Sequence, residues 1–291
     1  MKPFWSPAEP LSATYVIDVR IDPEAETISG SETITLVNRS SNPIEQLAVR
    51  KGVGRAGSFT VEIEGERPPL SPSPEEADAD TLILVALPKP LAVGEAVELH
   101  VDFQGPFPDT WEGLMVLQEW HPRLRWWHPT HDDFEVSIAA PEGWALAVSG
   151  RADSPGGPWR ASGVRSFGIV LDENLQVEEA RAGDTLILCL FPPERREWGQ
   201  ALLEAAVAAV DYYRSEFGFC PQPFLSIVPG SDEWMGGSPL ATGVVAIHGQ
   251  SPFGEASDEW WRWIMAHEIG HQYWGEHVHD PDNPAWLWIG L

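Results

Sequence analysis

His267-Glu268-Ile269-Gly270-His271 places two imidazoles four residues apart, with a carboxylate beside the first. On an α-helix four residues advance about 6 Å and about 400° around the axis. His267 and His271 therefore stand one above the other on a single face. Two neutral imidazoles so placed can grip one zinc ion. Glu268, offset by about 100°, can take a proton from water that the ion acidifies to a pKa of about 7. The chemistry implied is metal-assisted hydrolysis, most often of a peptide bond. Its expected cofactor is one Zn2+ per chain, with His267 and His271 as ligands and Glu268 as the catalytic base. Two histidines on one helix also arise from ordinary packing. Here, however, the pattern fixes three residues, two of them of a scarce type, nine histidines in 291 residues.

The surrounding elements must hold that turn in place. Ser257 reads as a helix N-cap, Asp258 and Glu259 suit the positive helix end, and Gly275 reads as its stop. Trp260, Ile264, His267 and His271 share one face. Upstream, Trp198, Leu202, Ala206, Val210, Tyr213 and Phe217 recur at helical spacing, which predicts a long helix over 194–217. Phe224–Val228 and Gly243–Ile247 are short enough to be strands. Between them Gly236-Gly237 opens a glycine-rich loop, whose backbone is expected to bind the substrate. An edge strand beside the metal can pair with an extended peptide.

The first half of the chain alternates apolar and polar residues. Tyr15, Ile17, Val19 and Ile21 do so, as do Val97, Leu99, Val101 and Phe103, and Phe134, Val136 and Ile138. This period of two predicts half-buried antiparallel sheet. Pro68–Asp80 reads as a solvated loop between strands. The expected class is α+β and multi-domain. An N-terminal antiparallel β-saddle or sandwich (1–182) precedes part of a zincin-type domain (183–291) that carries the H-E-x-x-H helix, and that the family resemblance given below implies is a thermolysin-like catalytic domain.

Bulk properties narrow the function classes. Lys plus Arg number 18 and Asp plus Glu 44, a net charge of -26. So acidic a chain repels nucleic acid and anionic membrane, and its surface is well solvated. No stretch approaches the roughly 20 apolar residues of a membrane span, and Met1-Lys2-Pro3-Phe4-Trp5 opens no signal peptide. Cys189 and Cys220 are too few for a disulfide framework. A reducing, cytoplasmic setting is expected. Gly105–Asp133 concentrates Trp111, Trp120, Trp126, Trp127, His121, His128 and His131. Its histidine spacings match no metal signature, so aromatic packing is the expectation.

From about Tyr15 onward the chain resembles the aminopeptidase N family of gluzincin zinc peptidases, which also includes leukotriene epoxide hydrolases. The resemblance is carried by Tyr15–Pro23 with Thr27–Ser31, by Pro129–Val136, and above all by His267–Gly275, close to the family's H-E-x-x-H-Q-W-F-G. It implies a zinc aminopeptidase acting on peptides, with His267 and His271 as ligands and Glu268 as the base. Three departures stand out. The family's third ligand, a glutamate in W-L-N-E-G, faces Trp286-Leu287-Trp288-Ile289-Gly290 here. Ile289 or Gly290 then takes its place, according to how the segments are matched. His277, Glu276, His279, Asp280 and Asp282 remain as alternative donors. The family's G-x-M-E-N loop anchors the substrate amine through a carboxylate. The matching Trp234–Leu240 has none, although Asp232 and Glu233 lie upstream. The family's tyrosine for the transition state falls beyond Leu291. The apolar run 285–291 implies further chain or a partner that covers it. The alternatives are a non-catalytic peptide-binding or scaffold relative, and a hydrolase of a non-peptide substrate.

Overall fold

The structure is a computed structural model. It describes residues 11–53, 57–74, 81–107, 109–111, 114–125, 130–154, 156–233, 235–249 and 258–278. Two compact units are present. One comprises 1–108, 119–141 and 152–164, the other 109–118, 142–151 and 165–291. They interleave in sequence, where the sequence reading drew one boundary after residue 182.

The expected fold class is corrected. The described residues are 51% strand and 17% helix, with two α-helices and several sheets, a β-rich fold and not an α+β thermolysin-like arrangement with many helices. The added strands are those whose signal is weak. Leu114–Leu117 is buried at every position and so shows no alternation. Gln176–Ala182 is mostly exposed or half-exposed. Gly237–Ala241 is rich in residues of low β-propensity and is paired through its neighbour Val244–Ile247. Leu70–Pro72 is likewise a short strand inside the expected loop, of which 75–80 lie outside the described residues.

In the first unit the larger sheet carries, in spatial order, Trp159–Val164, Asp132–Ala139, Ala13–Asp22, Thr27–Val37, Ala96–Pro106 and Ser58–Glu62. Ala13–Asp22 alternates buried and exposed residues almost throughout, as its sequence predicts. The sheet is not wholly antiparallel, because Ala13–Asp22 runs parallel to Asp132–Ala139. A second sheet orders Arg123–Leu124, Ile44–Arg50, Leu82–Leu91 and Leu70–Pro72.

This unit encloses a polar cluster. His121 Nδ1 lies 2.8 Å from Glu32 Oε2, with both side chains buried. Arg123 donates to Asp132 Oδ2 at 2.6 Å, and Ala13 N–H to Asp132 Oδ1 at 3.0 Å. Tyr15, Trp120 and Phe134 close around the His121 ring at centroid distances of 5.4, 4.8 and 5.8 Å. Burial pushes the Glu32 carboxyl well above the ordinary carboxylate range and pulls the His121 imidazole down to about 3. Burial thus disfavours the charged form of both partners. His121 and Trp120 are packing residues, as the sequence suggested. Trp126, Trp127 and His128 lie outside the described residues.

The second unit is built on a five-stranded sheet ordered Gln176–Ala182, Thr185–Phe191, Phe224–Pro229, Val244–Ile247 and Gly237–Ala241. The strand alternation sorts its apolar residues to two faces. Ile187, Cys189, Phe191, Leu225, Ile227, Val245 and Ile247 meet the helices α1 (Arg196–Phe217) and α2 (Asp258–Tyr273). Leu190, Val228, Val244 and Ala246 face Leu114, Val116, Ala147 and Val170 of the four-stranded sheet in the same unit.

Helix α1 begins after a 3-10 turn at Pro193–Arg195, whose prolyl N1 position needs no N–H partner. It ends at Gly218, whose φ of +81° forms a left-handed cap with its N–H on Arg214 C=O. Leu202, Ala206 and Val210 are buried as their spacing predicts, whereas Phe217 is 45% exposed. Tyr213 of α1 donates its hydroxyl to the carbonyl of Ala266 at 2.8 Å. That bond ties α1 to the α2 residue next to His267. Among the described residues no helix is long and apolar enough to cross a membrane.

Candidate metal centre

Helix α2 presents the site. Its apolar stripe of Trp260, Trp261, Ile264, Met265 and Ile269 is buried against α1 and the sheet, which fixes the helix about its own axis. The i,i+4 spacing within the helix brings His267 and His271 together with Glu268 beside them, and the donor atoms of the three all lie within 4.8 Å of one another. No other such group of three occurs among the described residues. The two imidazoles are edge to face, with centroids 4.8 Å apart at 89°. His267 Nε2 is 4.0 Å from Glu268 Oε1. The expected helix N-cap, Ser257, lies outside the described residues.

The protonation states suit a cation. Burial lowers both imidazoles, His271 to about 4 with His267 adding repulsion, so both are neutral ligands near pH 7. Burial raises the Glu268 carboxyl to about 8. A nearby divalent cation would lower it again and favour the carboxylate, the form that accepts a proton. Glu268 Oε2 is buried with no hydrogen-bond partner among the described residues. A buried carboxylate oxygen left in that state is expensive and marks a place for a water or an ion. By donor type, spacing and neutral state the two imidazoles could hold a divalent metal ion, with the Glu268 carboxyl beside them.

The edge strand Gly237–Ala241 packs beside the site, and the reason lies at Gly237. A methyl group there would lie 2.5 Å from the Glu268 carboxyl carbon and from Oε1. The missing side chain is the space that seats the base. The sequence reading placed Gly236 and Gly237 as substrate-binding backbone. The structure puts Gly237 against Glu268, and a methyl at Gly236 would come no nearer than 3.8 Å to Ile264 Cδ1.

The alternative donors go elsewhere. Glu276 is buried and bonded to the Thr242 hydroxyl, which also accepts the Arg165 N–H at 3.1 Å. Gln272 Oε1 accepts the Gly243 N–H at 2.6 Å. These bonds moor the end of α2 and the turn after it. His277 packs its ring 5.5 Å from Phe219, outside the donor group. His279, Asp280, Asp282 and 286–290 lie outside the described residues, as does Trp234. Asp232, one of the two upstream candidates for an amine anchor, is held by both ends of the Arg195 guanidinium, at 2.8 Å through Nη1. Glu233 N–H donates to Ser231 Oγ at 3.1 Å.

Comparison with models of known protein families gives no match, and comparison with curated proteins gives none.

Two features escaped the sequence reading. Ser238 Oγ lies 2.8 Å from His248 Nε2, a pairing that invites a nucleophilic serine. His248 Nδ1 accepts the Ser231 N–H at 3.1 Å, so the neutral ring carries its proton on Nε2 and donates to Ser238. It is not a base toward that serine. The second feature is Trp263, whose indole stacks on His267. Its i,i+4 spacing was the available signal.

Proposed function

We propose that the chain is a zinc-dependent metallopeptidase of aminopeptidase type. The observation that supports this most is the convergence of His267, Glu268 and His271, with the carboxylate seated on the glycine of a sheet edge. His267 and His271 would hold the ion. Bound there, zinc supplies a Lewis acid that polarises the scissile carbonyl and acidifies water. Glu268 receives the proton of the attacking water and hands it to the departing amine. The peptide lies extended along Gly237–Ala241, the last strand of its sheet, and adds to it as a further strand. The middle of α2, tied by Tyr213, and its C-terminal end, tied by Gln272 and Glu276, keep the base and ligands from shifting relative to that strand.

The engagement of Asp232 by Arg195 favours a second reading, in which peptides are bound or cut without recognition of a free amino terminus. A fluorogenic panel with free and acetylated amino termini tests both. Zinc-dependent cleavage that is abolished in Glu268→Gln supports the peptidase. Equal rates on acetylated and free peptides would move it to the second reading, and no cleavage by the zinc-loaded protein would contradict both hydrolytic forms.

A further inference from the structure

His267 has a neighbour that the hydrolytic chemistry does not use. The Trp263 indole lies 5.4 Å from the His267 ring at 21°, and the Trp260 indole lies 5.1 Å from Trp263, also at 21°. Residues 260, 263 and 267 succeed one another at three and four, so the rings line one stripe of α2. The stripe is anchored at Trp260, which is 7% exposed, yet Trp263 is 55% exposed. Packing alone gives little reason for an indole there, since Ile264 beside it already fills the core.

Imidazoles that ligate metals are ordinarily oriented by a hydrogen bond from the second ring nitrogen to a carboxylate or a carbonyl. Among the described residues His267 makes no hydrogen bond through either nitrogen. Its nearest carboxylate oxygen, on Glu268, is 4.0 Å away, beyond hydrogen-bond range. The ring is instead bounded by Trp263 in near-parallel stacking and by His271 edge-on. Stacking restricts the tilt of the imidazole plane, which is the freedom that a hydrogen bond restricts elsewhere.

We propose that Trp263 is the positioning residue for His267. The Trp260–Trp263 stack stands in for the missing hydrogen bond and holds the imidazole in the plane from which it ligates. The proposal rests on the metal-site reading and adds to it a residue that touches neither the ion nor the substrate.

The test uses the full chain with Trp263→Leu and Trp263→Phe. Zinc affinity is measured by competition with a chromophoric chelator. Proton NMR of the zinc-free protein follows the His267 ring protons, assigned with His267→Asn. In the wild type the stacked indole displaces those resonances upfield. Trp263→Leu abolishes the displacement and weakens zinc about tenfold, the usual cost of losing an orienting partner. Trp263→Phe, which keeps an aromatic face, restores most of both. Affinity within about twofold of wild type in Trp263→Leu overturns the proposal, as does equal weakening in the two variants. Should the leucine variant not fold, Trp263→Gln, which removes the aromatic face and suits an exposed helix position, takes its place with the same expected and refuting results. Loss of the upfield displacement with unchanged affinity refutes the positioning role. A wild-type protein that takes up no zinc is a separate result, which removes the metal-site reading and this proposal together.

Discussion

Gly237→Ala is the smallest change that separates seating the base from holding the metal. The new methyl would lie 2.5 Å from the Glu268 carboxyl carbon and from Oε1. Carbon atoms in contact rest about 3.5 Å apart, so the carboxylate must retreat by about 1 Å. Gly237 is not among the glycines with positive φ. The alanine therefore meets no backbone strain, and the effect is one of contact alone. Overpacking of this kind costs about 1–3 kcal/mol of stability. A 1 Å misplacement of a reacting group costs about 100-fold in rate. His267 and His271 are untouched, so zinc content should equal that of the wild type. The assay is kcat/KM on a fluorogenic peptide with the zinc-loaded protein, run beside elemental analysis and thermal unfolding. A fall of about 100-fold with full zinc occupancy is expected. A rate within about threefold of wild type would show that Glu268 is not the base or is not seated by Gly237.

Other outcomes follow from the same structure. The folded Glu32 carboxyl stays protonated well above its unfolded value of 4.5, so above pH 4.5 the folded state holds a proton that the unfolded state has lost. The stability of wild type relative to Glu32→Gln should then fall by about 1.4 kcal/mol per pH unit above 4.5, and a difference independent of pH in chemical denaturation would refute the buried neutral carboxyl. In the wild type His121, neutral down to about 3 when folded, adds the opposite slope below its unfolded value of 6.5. The pair's contribution should therefore be level between those two unfolded values and decline on either side. Gln272→Ala leaves the Gly243 N–H without its acceptor and should cost about 1–3 kcal/mol in thermal or chemical unfolding. Leu202→Ala at the fully buried centre of α1 should cost about 2–5 kcal/mol, and a loss under 1 kcal/mol would mean that α1 is not packed as described.

What the sequence revealed and what it hid divide by range. The α2 turn was legible because H-E-x-x-H is a local pattern whose helical geometry needs no tertiary partner, and α1 was legible from its spacing of three and four. Alternating strands such as Ala13–Asp22 were legible for the same reason. The Gly237–Ala241 strand is hidden from local reading, because glycine, serine and proline carry no strand signal and its pairing comes from Val244–Ile247. The expected helix-rich catalytic domain came from the family resemblance and not from the residues, while buried strands such as Ile169–Asp172, buried at 169–171, show no period of two and give no strand signal of their own. The Arg195–Asp232 pair spans 37 residues and the Thr242–Glu276 bond 34, and neither leaves a mark in local spacing. Trp263 was within reach, four residues before His267, but an aromatic at that spacing first suggests core.

The most direct test of the metal centre is the zinc content of purified protein after dialysis at pH 7.5, for wild type and His271→Ala. The account requires close to one zinc per chain in the wild type and its loss in the variant, with the fold intact by circular dichroism. A wild type that binds no zinc, or a His267→Ala/His271→Ala protein that keeps it, would contradict the account.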